Sequence, residues 1–546
     1  MNKKGRIALI GAEDEENLAI RYLGAVLVEN QHQVKIVPCS SHADISKAIN
    51  EVKSFRPQLI GVSLNFQSLA LIFLELIQHL KEELPDVHIT VGGHFPTFEY
   101  SKLLENYPID SVIRFEGEKS IALLINNLLN EKKFSNIPNL VYRDVSNDNI
   151  IINPSDTHFP DLDKIPFPLR NKKAHVRLGE NFATLVASRG CFHSHCIYCC
   201  IGAFHQAKVG DKYALRNPEN IAREMGGLYH EKKGRLFQFH DDSFLLNSSD
   251  TSLRRLKELK VQMEKKNIEL DEIGILVKIR PEELNNDILD VLEDLGTIGI
   301  FLGVENASNP GLKALGRGSH REDIDHSLEL LKDYKMGVTF NLLMFHPKAT
   351  LEEINENIFF MKENNSYAYD FGRAEIVAGS PLETLVRRKK LIKGQWPRWN
   401  YKIEDDAVEK MFRLNLLTFH HENSAYSDLT HQMIALSYRS HLIQRLYPGK
   451  ESSRIHISVL DLIKSFNEFN LEKLLDIYHL TAEDHISKGL DEINSQLQEN
   501  YPQFIKESQS ITNKMNKLQI LEKQFKEQGL DNYLQNSGFW KKVFRI

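Results

Sequence analysis

At 546 residues the chain is too long for one hydrophobic core and is expected to form two or three domains. A net charge of −6 with 26% charged residues argues against a general nucleic-acid binder. The five cysteines, Cys39 and four between 191 and 200, make no disulfide framework and point to a reducing cytoplasm. No membrane span is expected either: the run Leu69–Ile77 is broken by Glu75, and the Met1–Gly5 start shows no signal-peptide core.

Residues 1–135 alternate apolar strands (Arg6–Gly11, Val34–Pro38, Gln58–Ser63, His88–Gly92, Val112–Phe115) with helix-period stretches such as Asn17–Glu29 and Ser68–Glu83. Strand, helix, strand at this spacing predicts a Rossmann-like doubly wound parallel sheet, whose ligands bind beyond the carboxyl ends of the strands. The residues expected there are Gly11, Ser63, Gly92, Gly93, His94, Gly117 and Glu118. Glycines admit a bulky planar ligand to the backbone, and helix N-termini offer N–H donors. No G-x-G-x-x-G follows the first strand, which disfavours a dinucleotide. His94 reads as a metal ligand or as a loop side chain packed on its own turn.

Residues 136–175 read as a Pro-punctuated connector containing Asp161-Leu162-Asp163-Lys164-Ile165-Pro166-Phe167-Pro168. After the strand-like Phe182–Ala187 comes Ser188-Arg189-Gly190-Cys191-Phe192-His193-Ser194-His195-Cys196-Ile197-Tyr198-Cys199-Cys200. Three clustered thiolates can hold a [4Fe–4S] cube with one iron left open, whereas structural zinc takes a fourth ligand. Three readings stand: an iron–sulfur cluster on Cys191, Cys196 and Cys199; the same with Cys200 replacing Cys199; or zinc closed by His193, His195 or His205.

Arg-Gly-Cys followed by Cys-x-aromatic-Cys resembles the cluster loop of the radical S-adenosylmethionine (SAM) enzymes. It departs from their pattern by one residue, reading C-x4-C-x2-C in place of C-x3-C-x2-C. Gly92-Gly93-His94-Phe95-Pro96-Thr97, then Gly117-Glu118, resembles the cobalamin-binding domain that precedes the barrel in one subfamily. The Leu162–Pro168 connector is similar to that subfamily's linker. No Asp-x-His-x-x-Gly occurs, the signature of folds that ligate cobalt through His.

Residues 176–400 repeat strand then helix about six times, with strands at Phe182–Ala187, Leu236–His240, Ile273–Ile279, Gly299–Val304, Val338–Phe345 and Phe371–Val377. This predicts an open, partial (β/α)6 barrel, the fold of the family that the cluster loop resembles, with its chemistry at the C-terminal strand ends. The resemblance implies SAM contacts from Tyr198, Asp241, Asp242, Glu305 and Arg317. Arg216 reads as structural. Residues 401–546 are an α-helical region expected to close the barrel; Trp396 and Trp399 read as packing.

The resemblance implies a cytoplasmic enzyme carrying a [4Fe–4S] cluster, SAM and cobalamin. It would cleave SAM to a 5′-deoxyadenosyl radical and methylate an unactivated carbon of a small-molecule or peptide substrate. A one-electron donor such as flavodoxin or ferredoxin is implied as partner. Ring contraction or cyclisation with the same cofactors, a vestigial N-terminal domain, and a non-enzymatic metal- and corrinoid-binding protein are the alternatives.

Overall fold

The computed structural model describes residues 4–65, 67–130, 133–144, 148–420, 424–481 and 486–527. The first sheet contains β1 (Arg6–Gly11), β2 (Gln33–Pro38), β3 (Leu59–Ser63), β4 (His88–Gly92), β5 (Ser111–Ile113), β6 (Leu140–Arg143) and β7 (Ile150–Ile152), in the order β2-β1-β3-β4-β5-β6-β7. Strands β1 to β5 run parallel. In β1 every residue from Ile7 to Gly11 is buried, as befits a strand covered by helices on both faces. Asn17 starts the helix Leu18–Glu29 by accepting from the Ala19 and Ile20 backbone N–H groups. The order 2-1-3-4-5 reverses direction between β1 and β3, which is where a doubly wound sheet opens a ligand crevice.

The stretch expected as a connector from residue 136 begins differently. Strands β6 and β7 extend the first sheet, β6 antiparallel to β5 and β7 antiparallel to β6. At four and three residues they are too short to show a period in sequence.

The second sheet holds β8 (His175–Arg177) and β9 (Glu180–Leu185). It continues, after the short antiparallel pair β10 (Ser188–Arg189) and β11 (Ala214–Leu215), with β12 (Leu236–Phe239), β13 (Gly274–Ile279), β14 (Thr297–Glu305), β15 (Gly337–Phe345) and β16 (Ala368–Arg373). Its order is β16-β15-β14-β13-β12-β9-β8, and β12 to β16 are parallel. All six expected barrel strands are present.

Alternation along these strands gives two unlike faces. On one, Phe340 packs on Phe360 of the crossover helix Leu351–Glu363, with ring centroids 5.5 Å apart. The other carries Gly274, Gly299 and Gly337 near the strand starts, and the helix Tyr426–Leu446 lies on them. A Cβ at Gly299 would stand 2.4 Å from Tyr438, at Gly274 2.5 Å from Leu442, and at Gly337 2.9 Å from His441. The Tyr438 hydroxyl bonds Thr339 beside them. The C-terminal helices Asp406–Phe419, Tyr426–Leu446, Lys450–Leu480 and Ile486–Glu527 bear out a helical end region.

The chain forms two compact units that cut across its linear blocks. One comprises Met1–His175, Ala183–Glu224 and Glu375–Tyr401; the other comprises Val176–Phe182, Met225–Ala374 and Lys402–Ile546. The cysteine loop therefore belongs with the N-terminal sheet. So does the antiparallel hairpin β17 (Ile392–Gln395) and β18 (Arg398–Tyr401).

Candidate functional site

The cysteine loop leaves β10 through Gly190, whose φ of +89° and whose lack of a Cβ are both required: a Cβ would stand 2.3 Å from the Lys212 carbonyl oxygen. Cys196 is buried, Cys191, Cys199 and Cys200 are half-buried, and none of the four is in a disulfide. The Cys199 N–H donates to the Cys196 carbonyl at 3.2 Å, closing a turn that carries Tyr198, and Cys200 starts the helix Cys200–Ala207. Burial, then the neighbouring Cys200, pushes the Cys199 thiol up to about 12, with Cys196 adding to the effect. A bare thiolate at Cys199 is thus costly, and a cationic centre would relieve it. Among the described residues no group of three or more His, Cys, Asp or Glu is gathered at metal-binding spacing. The donor set nonetheless fits an iron–sulfur cluster in kind: three soft sulfur ligands on one loop.

The zinc reading fares worse. His205 is packed between Phe159 and Phe204, at 5.2 and 5.1 Å between centroids, and burial drops it to about 3. His195 turns back onto the His193 carbonyl.

In the same unit, the expected corrinoid residues lie at the carboxyl ends of β1, β3 and β4 and just after β5. Ser63 and Gly92 are direct register partners. Gly93 has a φ of +113°, and a Cβ there would meet Asn65 Oδ1 at 2.9 Å, so the two loops approach only through glycine. At Gly92 a Cβ would stand 3.3 Å from the Ile113 carbonyl oxygen and at Gly117 3.3 Å from Leu23 Cδ2, so both positions are close-packed and suit glycine. Glycine-lined strand ends at a switch point fit a broad planar group such as corrin.

Two of the expected residues have protein partners instead. His94 Nε2 bonds the Ala378 carbonyl at 2.9 Å, and burial lowers the imidazole to about 4, leaving it neutral with Nε2 as donor. Glu118 accepts from Arg189 at 2.6 Å. Burial alone would raise this carboxyl, but the guanidinium outweighs it and holds it below the ordinary range. Arg216 is structural: it pairs with Glu224 at 2.6 Å and lies over Phe167.

In the second unit, the Arg317 guanidinium lies over Gly303 of β14, donating from Nε and Nη2 to its carbonyl at 3.2 and 2.6 Å. A Cβ on Gly303 would stand 2.5 Å from Arg317 Nη2 and 3.6 Å from Glu305 Oε1, so both side chains cover this glycine. Glu305 holds a left-handed φ of +64°, a strained state for a residue with a side chain. Asp241, buried, and Asp242, half-buried, follow the end of β12. The next residue, Ser243, donates to Glu283 Oε2 at 3.0 Å.

Residues 10–125 match the B12 binding domain and residues 185–361 match the Radical SAM superfamily. The chain belongs to the cobalamin-dependent radical SAM enzymes. An uncharacterized methyltransferase of Pyrococcus horikoshii is 23% identical over 70% of this chain and 81% of that protein. The anaerobic magnesium-protoporphyrin IX monomethyl ester cyclase of a Synechocystis species is 24% identical over 72% of this chain and 77% of that protein. The solved cobalamin-dependent SAM radical enzyme OxsB with aqua-cobalamin bound superposes with a TM-score of 0.64 over 94% of this chain and 84% of that chain, at 17% identity, a likeness of fold. Cobalamin, SAM and a [4Fe–4S] cluster are the cofactors of this family's two domains, and no helix among the described residues is long and apolar enough to cross a membrane.

In this radical SAM chain, two acids were not evident from sequence. Glu283 is pushed up to about 8 by burial; its only signal was its place just after the third barrel strand. Asp370 sits mid-strand on β16, raised by burial, with His420 and His431 opposing that shift. Nothing in a single sequence separates such an inward-facing acid from an outward one until the alternation is fixed by packing.

Proposed function

We propose that this enzyme uses SAM and cobalamin to methylate an unactivated carbon of a small-molecule or peptide substrate. The observation that carries the reading is the pairing of a glycine-lined 2-1-3-4-5 sheet with a three-cysteine loop in a chain that aligns with most of the length of a relative named as an uncharacterized methyltransferase. When bound, the cofactors supply an adenosyl radical and a transferable methyl group. The chain's part is to hold, orient and exclude water.

Cys191, Cys196 and Cys199 are the proposed cluster ligands. Tyr198 offers its backbone to the adenine. Arg317, already braced on Gly303 and by Arg280 Nη2 donating to its own carbonyl at 2.6 Å, is the proposed partner of the SAM carboxylate. Glu305, Asp241 and Asp242 are the proposed acceptors for the SAM ammonium and ribose. Gly11, Ser63, Gly92, Gly93 and Gly117 form the corrinoid crevice. The helix Tyr426–Leu446 floors the concave face of the second sheet, so a substrate has the upper part of that face, with half-buried Asn341 and Asp370 and the open Gly372.

The cyclase relative favours a second reading, in which the same cofactors serve cyclisation without methyl transfer. Product stoichiometry separates the two. Anaerobically reconstituted enzyme, given dithionite, SAM and fractionated metabolites of its host, should form S-adenosylhomocysteine and 5′-deoxyadenosine in equal amounts with a methylated product. 5′-Deoxyadenosine and a dehydrogenated product without S-adenosylhomocysteine would establish the cyclase reading instead.

A further inference from the structure

One three-residue turn on the corrinoid side grips both flanks of the cysteine loop. Glu118 bonds Arg189, two residues before Cys191, at 2.6 Å, and that guanidinium lies 5.3 Å from the centre of the Tyr22 ring. Glu116 Oε2 accepts from Lys208, just beyond the helix that Cys200 starts, at 2.7 Å. The Lys208 ammonium is 4.0 Å from the centre of the Phe159 ring, and its side chain is 0% exposed against 9% for Glu116. Between the two acids stands Gly117, where a Cβ would stand 3.3 Å from Leu23 Cδ2. The turn is pinned from behind by Asn139, which donates to the Glu116 carbonyl at 3.0 Å.

Buried ion pairs add little stability over apolar packing but fix geometry, since removing one partner strands the other charge. Two of them on one turn, each reaching one flank of one loop, transmit any tightening of the turn to the loop. We propose that Glu116 and Glu118 are positioning residues that couple occupancy of the corrinoid crevice to the geometry of the cluster loop. The proposal rests on the reading that the crevice takes a corrinoid, and coupling of this kind is reciprocal: the loop's order also tightens corrinoid binding.

The test uses full-length, cluster-free protein with and without methylcobalamin, kept dark, whose methyl-capped cobalt offers no upper site to a thiol. Corrinoid retained through gel filtration is read by absorbance. Alkylation rates of Cys191, Cys196 and Cys199 are read by peptide mass spectrometry, with the buried Cys39 as a monitor of the fold. In wild type, corrinoid should slow alkylation of the loop at least fivefold. In the Glu116→Gln, Glu118→Gln double variant, corrinoid should be retained while the slowing falls below twofold. If Cys39 becomes reactive in that variant, Glu118→Asp, which keeps the charge on a shorter arm, takes its place and should show intermediate protection. Equal slowing in wild type and variant, or retained corrinoid with no slowing in wild type, overturns the coupling and leaves the crevice reading intact. Wild type that retains no corrinoid overturns both.

Discussion

The two seven-stranded sheets treat their charged strand ends in opposite ways. In the N-terminal unit the acids after β5 are spent on protein cations, Glu116 on Lys208 and Glu118 on Arg189, and His94 is tied to a carbonyl. What is left of the proposed crevice is glycine, Ser63 and backbone. In the second unit Arg317 and Glu305 crowd over Gly303, and Asp241, Asp242 and Glu283 follow the neighbouring strands β12 and β13. A large, mostly apolar-faced cofactor needs shape and space; a small zwitterion such as SAM needs fixed charges. The proposed assignment matches each sheet to one of these demands.

Substitutions can break that contrast, the most severe being Cys196→Ala. Iron bound after anaerobic reconstitution should fall to background by metal analysis while corrinoid is still retained through gel filtration, because this thiol is not one of the proposed crevice residues. Arg317→Ala should come next. Loss of a charge-assisted contact costs about 1.5–3 kcal/mol, so the SAM concentration for half-maximal 5′-deoxyadenosine formation should rise about 10- to 150-fold, again with corrinoid retained. A corrinoid loss in this variant would mean that the two sheets do not divide the work.

Gly299→Ala probes the floor of the concave face. Its methyl group would enter the space of Tyr438, and overpacking of this kind costs about 1–3 kcal/mol. The thermal midpoint should fall by several degrees in a calorimetric scan, with no change in the corrinoid absorbance of the loaded protein. Glu283→Gln is the mildest. An acid whose folded pKa is raised favours folding fully below its unfolded value, near 4.3, and that contribution is lost as pH rises through about 8. The wild-type midpoint should therefore decline relative to Glu283→Gln between pH 5 and 8, and the two should converge below pH 4.5; parallel curves would refute the buried-acid assignment.

Sequence carried the frame because periodicity and glycine placement are local. The strands Arg6–Gly11 and His88–Gly92 fall where alternation put them, and the six barrel strands lie within a few residues of their expected bounds. Long-range partners were not legible. Nothing near Glu118 in the chain announces Arg189, 71 residues away, and nothing near His94 announces Ala378, 284 residues away. Gly274, Gly299 and Gly337 read as ordinary strand glycines until Leu442, Tyr438 and His441 are seen against them. The grouping of the cysteine loop with the N-terminal sheet was hidden for the same reason, since compactness depends on contacts that span the chain.

The helix over those glycines also constrains how the polypeptide can be made. Tyr438 and Leu442 must be present before the concave side of β13 and β14 is covered. Glu180, at the start of β9, waits still longer: it bonds Tyr447 at 2.7 Å and Gln519 at 3.0 Å, and pairs with Lys523 at 2.8 Å. A ribosome adding about 5–20 residues per second needs tens of seconds to bring those groups out after β9 has emerged. Through that interval the concave side of the second sheet waits on residues made last, a delay that the first sheet, complete at Ile152, does not share.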